Sequence, residues 1–251
     1  MLDPAASFPD PPEAVRPGVL PIERAGAALE VILCSGIPTQ IVIITLLTAF
    51  GMHARLPDGR LSPAFVFTQT LADTLLMVGL VLFFFRAHGE SARAELLGGR
   101  PAGRDVAIGL ALIPASFFVV IGVLLLVQIF VPSLRNVPHN PLTGLAKTRT
   151  NAVIFVLVVT IAGGVREEIQ RGFVLRRFEQ YLGGGLAGLI VFSTLFGLGH
   201  LTQGRDVALA TGLLGAFWGA IFLRRRSILG PMIGHAGFNL AESVKFIVFG
   251  G

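Results

Sequence analysis

Charge is scarce in this sequence. Asp, Glu, Lys and Arg make up 14% of its 251 residues, against about 25% in a soluble globular domain. That shortfall argues against a water-soluble fold. Cysteine is nearly absent: Cys34 is the single one, so no disulfide can form within the chain. Lysine is almost missing as well, two against 18 arginines, a bias expected of a GC-rich, bacterial genome. No His-Glu-x-x-His motif occurs, so the helical zinc-hydrolase signature is lacking. Internal repeats, common in transporters, are not found. No apolar core follows a charged start near the N-terminus, so no cleavable signal peptide is expected.

What fills the space is apolar. Hydrophobic residues account for 53% of the chain, mean hydropathy is +0.76, and several runs exceed the ~20 residues needed to cross a bilayer. The expectation is an all-α, polytopic helical membrane protein. Residues 1–24 hold six of the 15 prolines among Asp, Glu and Arg and read as a disordered tail. Residues 25–251 read as one transmembrane helical domain. The net charge of +5 is spread between apolar spans, so it sets topology and does not mark nucleic-acid binding. Membrane lipids are the expected surroundings.

Seven spans are predicted near 28–51, 64–86, 105–132, 149–182, 185–203, 206–223 and 227–249, seven or eight crossings in all. An eighth helix in 133–150 is opposed by Pro138 and Pro141. An alternating path puts the arginines of 86–104, Arg176-Arg177 and Arg224-Arg225-Arg226 on one side, together with the N-terminus. By the positive-inside rule that side is the cytoplasm of a multi-pass cell-membrane protein. The fourth span would run roughly 50 Å at 1.5 Å per residue, beyond a ~30 Å hydrocarbon core. Its last part, Arg171–Tyr181, is therefore expected to project into the cytoplasmic interface. Gly183-Gly184-Gly185 then ends the helix and turns the chain.

Within that span lies Val165-Arg166-Glu167-Glu168-Ile169-Gln170-Arg171. Carboxylates at membrane depth are costly and mark function by default. One helical turn brings Arg171 beside either acid. The two glutamates point about 100° apart, so their jobs differ: one on water or metal, the other tied to Arg171. For the doublet alone, an interfacial charge pair without chemistry is an equal alternative. Phe196-Gly197-Leu198-Gly199-His200 sets Phe196 and His200 on one face, with Gly197 and Gly199 letting another backbone close. His235-Ala236-Gly237-Phe238-Asn239 stacks His235 on Asn239. Glu167 lies sixteen residues before Gly183 and His200 seventeen after it, so an antiparallel hairpin puts both at one level. Two His, an Asn and a Glu pair at matched depth can share a metal or a water and stabilise an oxyanion. Asp73 reads as hydrogen-bonded to a neighbouring helix, Glu242 as paired with Lys245, and the Gly215/Gly219 and Gly230/Gly234 spacings as tight helix packing.

The three motifs, in order on successive membrane helices over about 150–245, resemble the CPBP family of intramembrane proteases. These are CAAX prenyl proteases of the Ras-converting-enzyme type and bacteriocin-processing relatives. The resemblance implies a catalytic four-helix core and an endopeptidase acting on a membrane-associated or lipidated peptide or protein. It implies Glu167 as general base for water with His200 as its partner, Glu168 and Arg171 as support, Phe196 beside them, and His235 with Asn239 on the oxyanion. Zinc on Glu167, His200 and His235 and a metal-free glutamate route are both open. A non-proteolytic immunity or scaffold protein of the same fold is the alternative, and a transporter a lesser one.

Overall fold

The computed structural model describes residues 18–99, 101–138 and 140–249. Among them the chain forms α-helices and no β-strand, apart from one isolated bridge between Arg55 and Leu61. The helices are α1 (Pro21–Leu33), α2 (Ile37–Ala49), α3 (Pro63–Ala87), α4 (Ala92–Leu97), α5 (Ala102–Phe130), α6 (Arg149–Val159), α7 (Glu167–Tyr181), α8 (Gly185–Leu198), α9 (Arg205–Arg225) and α10 (Leu229–Phe249). A π-helical segment, Thr160–Arg166, joins α6 to α7. The protein is an all-α membrane protein: α3, α5 and α9 are each long and apolar enough to cross a bilayer, and α1 with α2 makes a fourth span if the bent pair is counted as one.

The seven expected apolar segments are all helical, but they differ in kind. α8 has 14 residues, about 21 Å of helix, short of a ~30 Å core. The first segment is not one straight helix. α1 and α2 meet at 43°, because Gly36 takes a left-handed φ of +91° and Pro38 opens α2 without an N–H to satisfy. A side chain at Gly36 would also lie 2.9 Å from the Arg166 guanidinium. The N-terminal boundary shifts too. Pro21 to Arg24, expected in the tail, are helical, with the Leu20 N–H donating to the Glu23 carboxylate at 2.8 Å. Residues 1–17 of that tail lie outside the described residues. Between 133 and 150 the chain makes only short 3₁₀ turns, at Pro132–Leu134 and Pro141–Ala146.

The largest departure is α7. It is no projecting stem but the centre of the fold, with Phe173, Val174 and Leu175 in the main core beside Met77, Val81, Phe85 and Phe222. Beyond Glu167, the charges of α7 are buried because each is paired. Arg177, fully buried, donates to Glu30 at 2.6 Å and Glu90 at 2.7 Å and lies over the Phe85 and Phe173 rings. Arg176 binds Glu95 at 2.5 Å and Glu179 at 3.0 Å. Arg226 also reaches Glu179, Arg225 binds Asp105 at 2.6 Å, and the Ile228 N–H donates to the Leu96 carbonyl. This network joins the loop after α3, the end of α7 and the α9–α10 turn at one end of the bundle. The three arginine clusters therefore share a side, as the alternating path requires.

Glycines set the closest helix contacts. A methyl on Gly197 would lie 2.7 Å from the Ala208 carbonyl, on Gly215 2.8 Å from Phe196, and on Gly234 2.7 Å from Leu112. Gly230 has ordinary clearance, and Gly199 faces only its own helix.

Candidate active site

The site is built where the π segment meets α10. Each π turn holds one residue more than an α turn, and such segments recur at functional sites. Gly163 and Gly164 lie within this segment. A Cβ on Gly164 would overlap Ala236, and one on Gly163 would overlap the Asn239 amide and come within 3.3 Å of His235 Nε2. The two glycines thus let α10 press its polar face against the segment that leads into the glutamates.

Those glutamates divide as their angular offset requires. Glu168 is the tied acid: its side chain is 1% exposed, paired with Arg171, and 2.8 Å from His235 Nδ1. A carboxylate held by an arginine accepts, so His235 Nδ1 carries the proton and Nε2 is left facing outward from that bond. Glu167 has a 21% exposed side chain and lies 3.7 Å from His235 Nε2. Among the described residues its side chain makes no hydrogen bond.

Arg171, itself 1% exposed, sits in an aromatic box. Its guanidinium is 5.2 Å from the Phe192 ring, 5.1 Å from Phe196 and 5.6 Å from Trp218. His235 shares two of these walls, stacked on Trp218 at 3.8 Å and edge-on to Phe196 at 6.4 Å. Asn239 donates to the Val159 carbonyl at 3.2 Å, which uses one of its two amide N–H groups.

His200 is placed differently from its expected role. α8 ends at Leu198, and His200 starts the following 3₁₀ turn with Nδ1 2.8 Å from the Phe196 carbonyl. Its ring meets Phe196 at 5.0 Å. No carboxylate among the described residues is within ion-pair distance of it, so the imidazole beside Glu167 is His235 and not His200. The physical reason is the end of α8: a carbonyl freed at the C-terminus captures the ring.

The expected metal set fares similarly. Among the described residues, no three His, Cys, Asp or Glu side chains gather so that they could hold a metal ion. His235 Nδ1 is committed to Glu168, and His200 stands apart from both glutamates. The donors of Glu167, His200 and His235 do not fit a shared metal in this arrangement.

Several residues at the site were not singled out from the sequence. Trp218 is one, and Gly163-Gly164 another; the doublet interrupts a β-branched apolar run, which was a readable signal. Arg166 is a third. It is buried and bound to Asp73 at 2.5 Å, and Asp73 also accepts from Thr39 at 2.5 Å. The expected interhelical bond of Asp73 is present, with an ion pair added. Glu242 and Lys245 pair at 2.8 Å as expected.

A buried Glu–His–Arg cluster beside a free glutamate, in an all-α membrane bundle, has the make-up of an intramembrane hydrolase. Residues 149–241 match the family model for type II CAAX prenyl endopeptidases, Rce1-like, so the resemblance read from the motifs is borne out over that segment. The match supports a membrane endopeptidase of CAAX type in general. No curated protein and no solved structure matches the chain.

Proposed function

We propose that this protein is an intramembrane endopeptidase in which Glu167 activates a water molecule against a peptide bond near the membrane. The observation that carries the reading is the asymmetry of the doublet: Glu168 is saturated, whereas Glu167 is free, partly exposed and 3.7 Å from His235 Nε2. That gap is too long for a direct hydrogen bond and suits a water held by both groups.

The chemistry follows from the positions. Glu167 takes a proton as the water oxygen attacks the carbonyl carbon. The oxyanion that forms is met by the second amide N–H of Asn239, while His235 Nε2 accepts from the attacking water. Collapse breaks the C–N bond, and Glu167 returns its proton to the leaving amine. Glu168 and Arg171 hold His235 in one tautomer. His200, whose Nδ1 is bound to the Phe196 carbonyl, is assigned to the peptide rather than to the water. No step runs through a metal, because the candidate donors are not gathered. Substrates are membrane-associated or lipidated peptides or proteins. The protein sits multi-pass in a cell membrane with its N-terminus and ion-pair network on the cytoplasmic side.

The test is purified protein in nanodiscs with a library of lipidated and unlipidated peptides, with and without a zinc chelator. Cleavage that survives the chelator and vanishes in Glu167→Gln is the expected result. No cleavage of any peptide by the wild-type protein would favour an immunity or scaffold role. Loss of activity on chelation would overturn the metal-free route.

A further inference from the structure

The proposed reaction uses His235, but nothing in the three motifs explains what fixes its ring. Its Nδ1 is held by Glu168, yet a single hydrogen bond leaves an imidazole free to rock about that axis. The face of the ring needs a second constraint. α9 and α5 supply it.

The indole of Trp218 lies on the His235 ring at 3.8 Å between centroids, with 23° between planes. Trp218 is 1% exposed. Its Nε1–H donates to Ser116 Oγ at 3.1 Å, and Ser116, fully buried on α5, donates in turn to the Leu112 carbonyl at 2.8 Å. Both polar atoms in this chain are satisfied, so it has one arrangement. Phe238 adds an edge contact to the indole at 6.3 Å. The remaining groups facing His235 are Glu167 and Glu168 from α7 and the Phe196 edge from α8, with Arg171 paired to Glu168 behind it.

We infer that Trp218 and Ser116 are positioning residues for His235. Ser116 fixes the plane of the indole, the indole fixes the plane of the imidazole, and the imidazole presents Nε2 to Glu167. The kinetic part of this inference rests on the endopeptidase reading; the stacking part does not.

Trp218 is the single tryptophan of the chain, so intrinsic fluorescence reads this one ring. A stacked imidazole quenches indole emission. His235→Gln should therefore brighten the protein in nanodiscs, whereas His200→Gln should leave the emission unchanged. The His235-dependent quenching should shrink in Ser116→Ala, which frees the indole, and return in Ser116→Thr, which restores a hydroxyl. In peptide cleavage, Trp218→Leu should lower kcat by roughly 10- to 100-fold, the cost of a misplaced catalytic group, with KM within about twofold. Trp218→Phe, which keeps a ring on the imidazole, should recover most of that loss. If Trp218→Leu does not fold, Ser116→Ala and Trp218→Phe carry the kinetic test: both should lower kcat by about 2- to 10-fold, the worth of an aromatic pair.

Quenching by His235 that is the same in Ser116→Ala as in the wild type overturns the inference, as does an unchanged kcat in folded Trp218→Leu. If no peptide is cleaved by the wild-type protein but Ser116→Ala still alters the His235-dependent quenching, the endopeptidase reading fails and the positioning chain stands.

Discussion

Glu167 and Glu168 are neighbours in sequence and opposites in the fold: the side chain of one is 21% exposed and unbonded, that of the other 1% exposed and held by Arg171 and His235. The contrast predicts two different mutant phenotypes. Glu167→Gln should leave the melting temperature unchanged and lower turnover by about 10²–10⁴, the usual worth of a general base. Glu168→Gln should instead destabilise, because it strands Arg171 as a buried unpaired charge, a loss of about 3–5 kcal/mol. Thermal melts in detergent beside peptide-cleavage rates separate the two. Near-wild-type turnover in Glu167→Gln would sink the base assignment.

The two histidines should not be equivalent. His235 stands between the glutamates, while His200 binds the Phe196 carbonyl. His235→Ala should therefore cost more in kcat than His200→Ala, with Asn239→Ala costing about 10²–10³ as a lost oxyanion donor. The double mutant of His235 and Asn239 should be less than additive, since groups that act as a unit are not independent. A larger loss in His200→Ala than in His235→Ala would return the water's partner to His200.

Gly163 is expected to tolerate nothing larger. Alanine there must displace the Asn239 amide, and overpacking of a filled interface costs about 1–3 kcal/mol. Gly163→Ala should thus lower kcat as Asn239→Ala does while retaining the fold. Gly230→Ala, where clearance is ordinary, should be neutral in both assays.

The basic end of the bundle makes a topology prediction. Arg93, exposed on α4, and Asp58, exposed in the loop after α2, lie in connections at opposite ends of α3. In intact cells an impermeant thiol reagent should label Asp58→Cys and not Arg93→Cys; the buried Cys34 stays silent. The reverse pattern inverts the cytoplasmic assignment.

Arg177 should be the most costly arginine to lose. Its replacement by methionine leaves Glu30 with His88 alone and Glu90 with the Gln180 amide alone, removing the one arginine that neutralises both, a loss of about 3–5 kcal/mol read by thermal melting. Lysine should not restore it, because one ammonium cannot reproduce a planar fork that also stacks on Phe85 and Phe173.

Membership of the membrane class, the helical segments and the three motifs were legible in the sequence because each depends on local pattern; the number of crossings was not, since among the described residues three helices, or four with α1 and α2 taken as one, are long and apolar enough to span. Apolar run length, a Gly triplet after a long helix and residues four apart on one face need no knowledge of neighbours. The division of labour in the glutamate doublet was legible for the same reason: a 100° offset on one helix forces it. Which imidazole would meet the free glutamate was not legible. Counting from the Gly183 turn gives depth along a hairpin but no azimuth, and a π segment changes the azimuth of everything after it. The burial of α7 was hidden as well. Arg176, Arg177 and Glu179 look like an interfacial face until Glu30, Glu90, Glu95 and Arg226 arrive from elsewhere in the chain to neutralise them. Composition and periodicity determined that this chain folds as membrane helices carrying Glu, His and Asn at one depth. Only the tertiary structure decided which of those groups touch, because pairing energies at membrane depth depend on partners far apart in sequence.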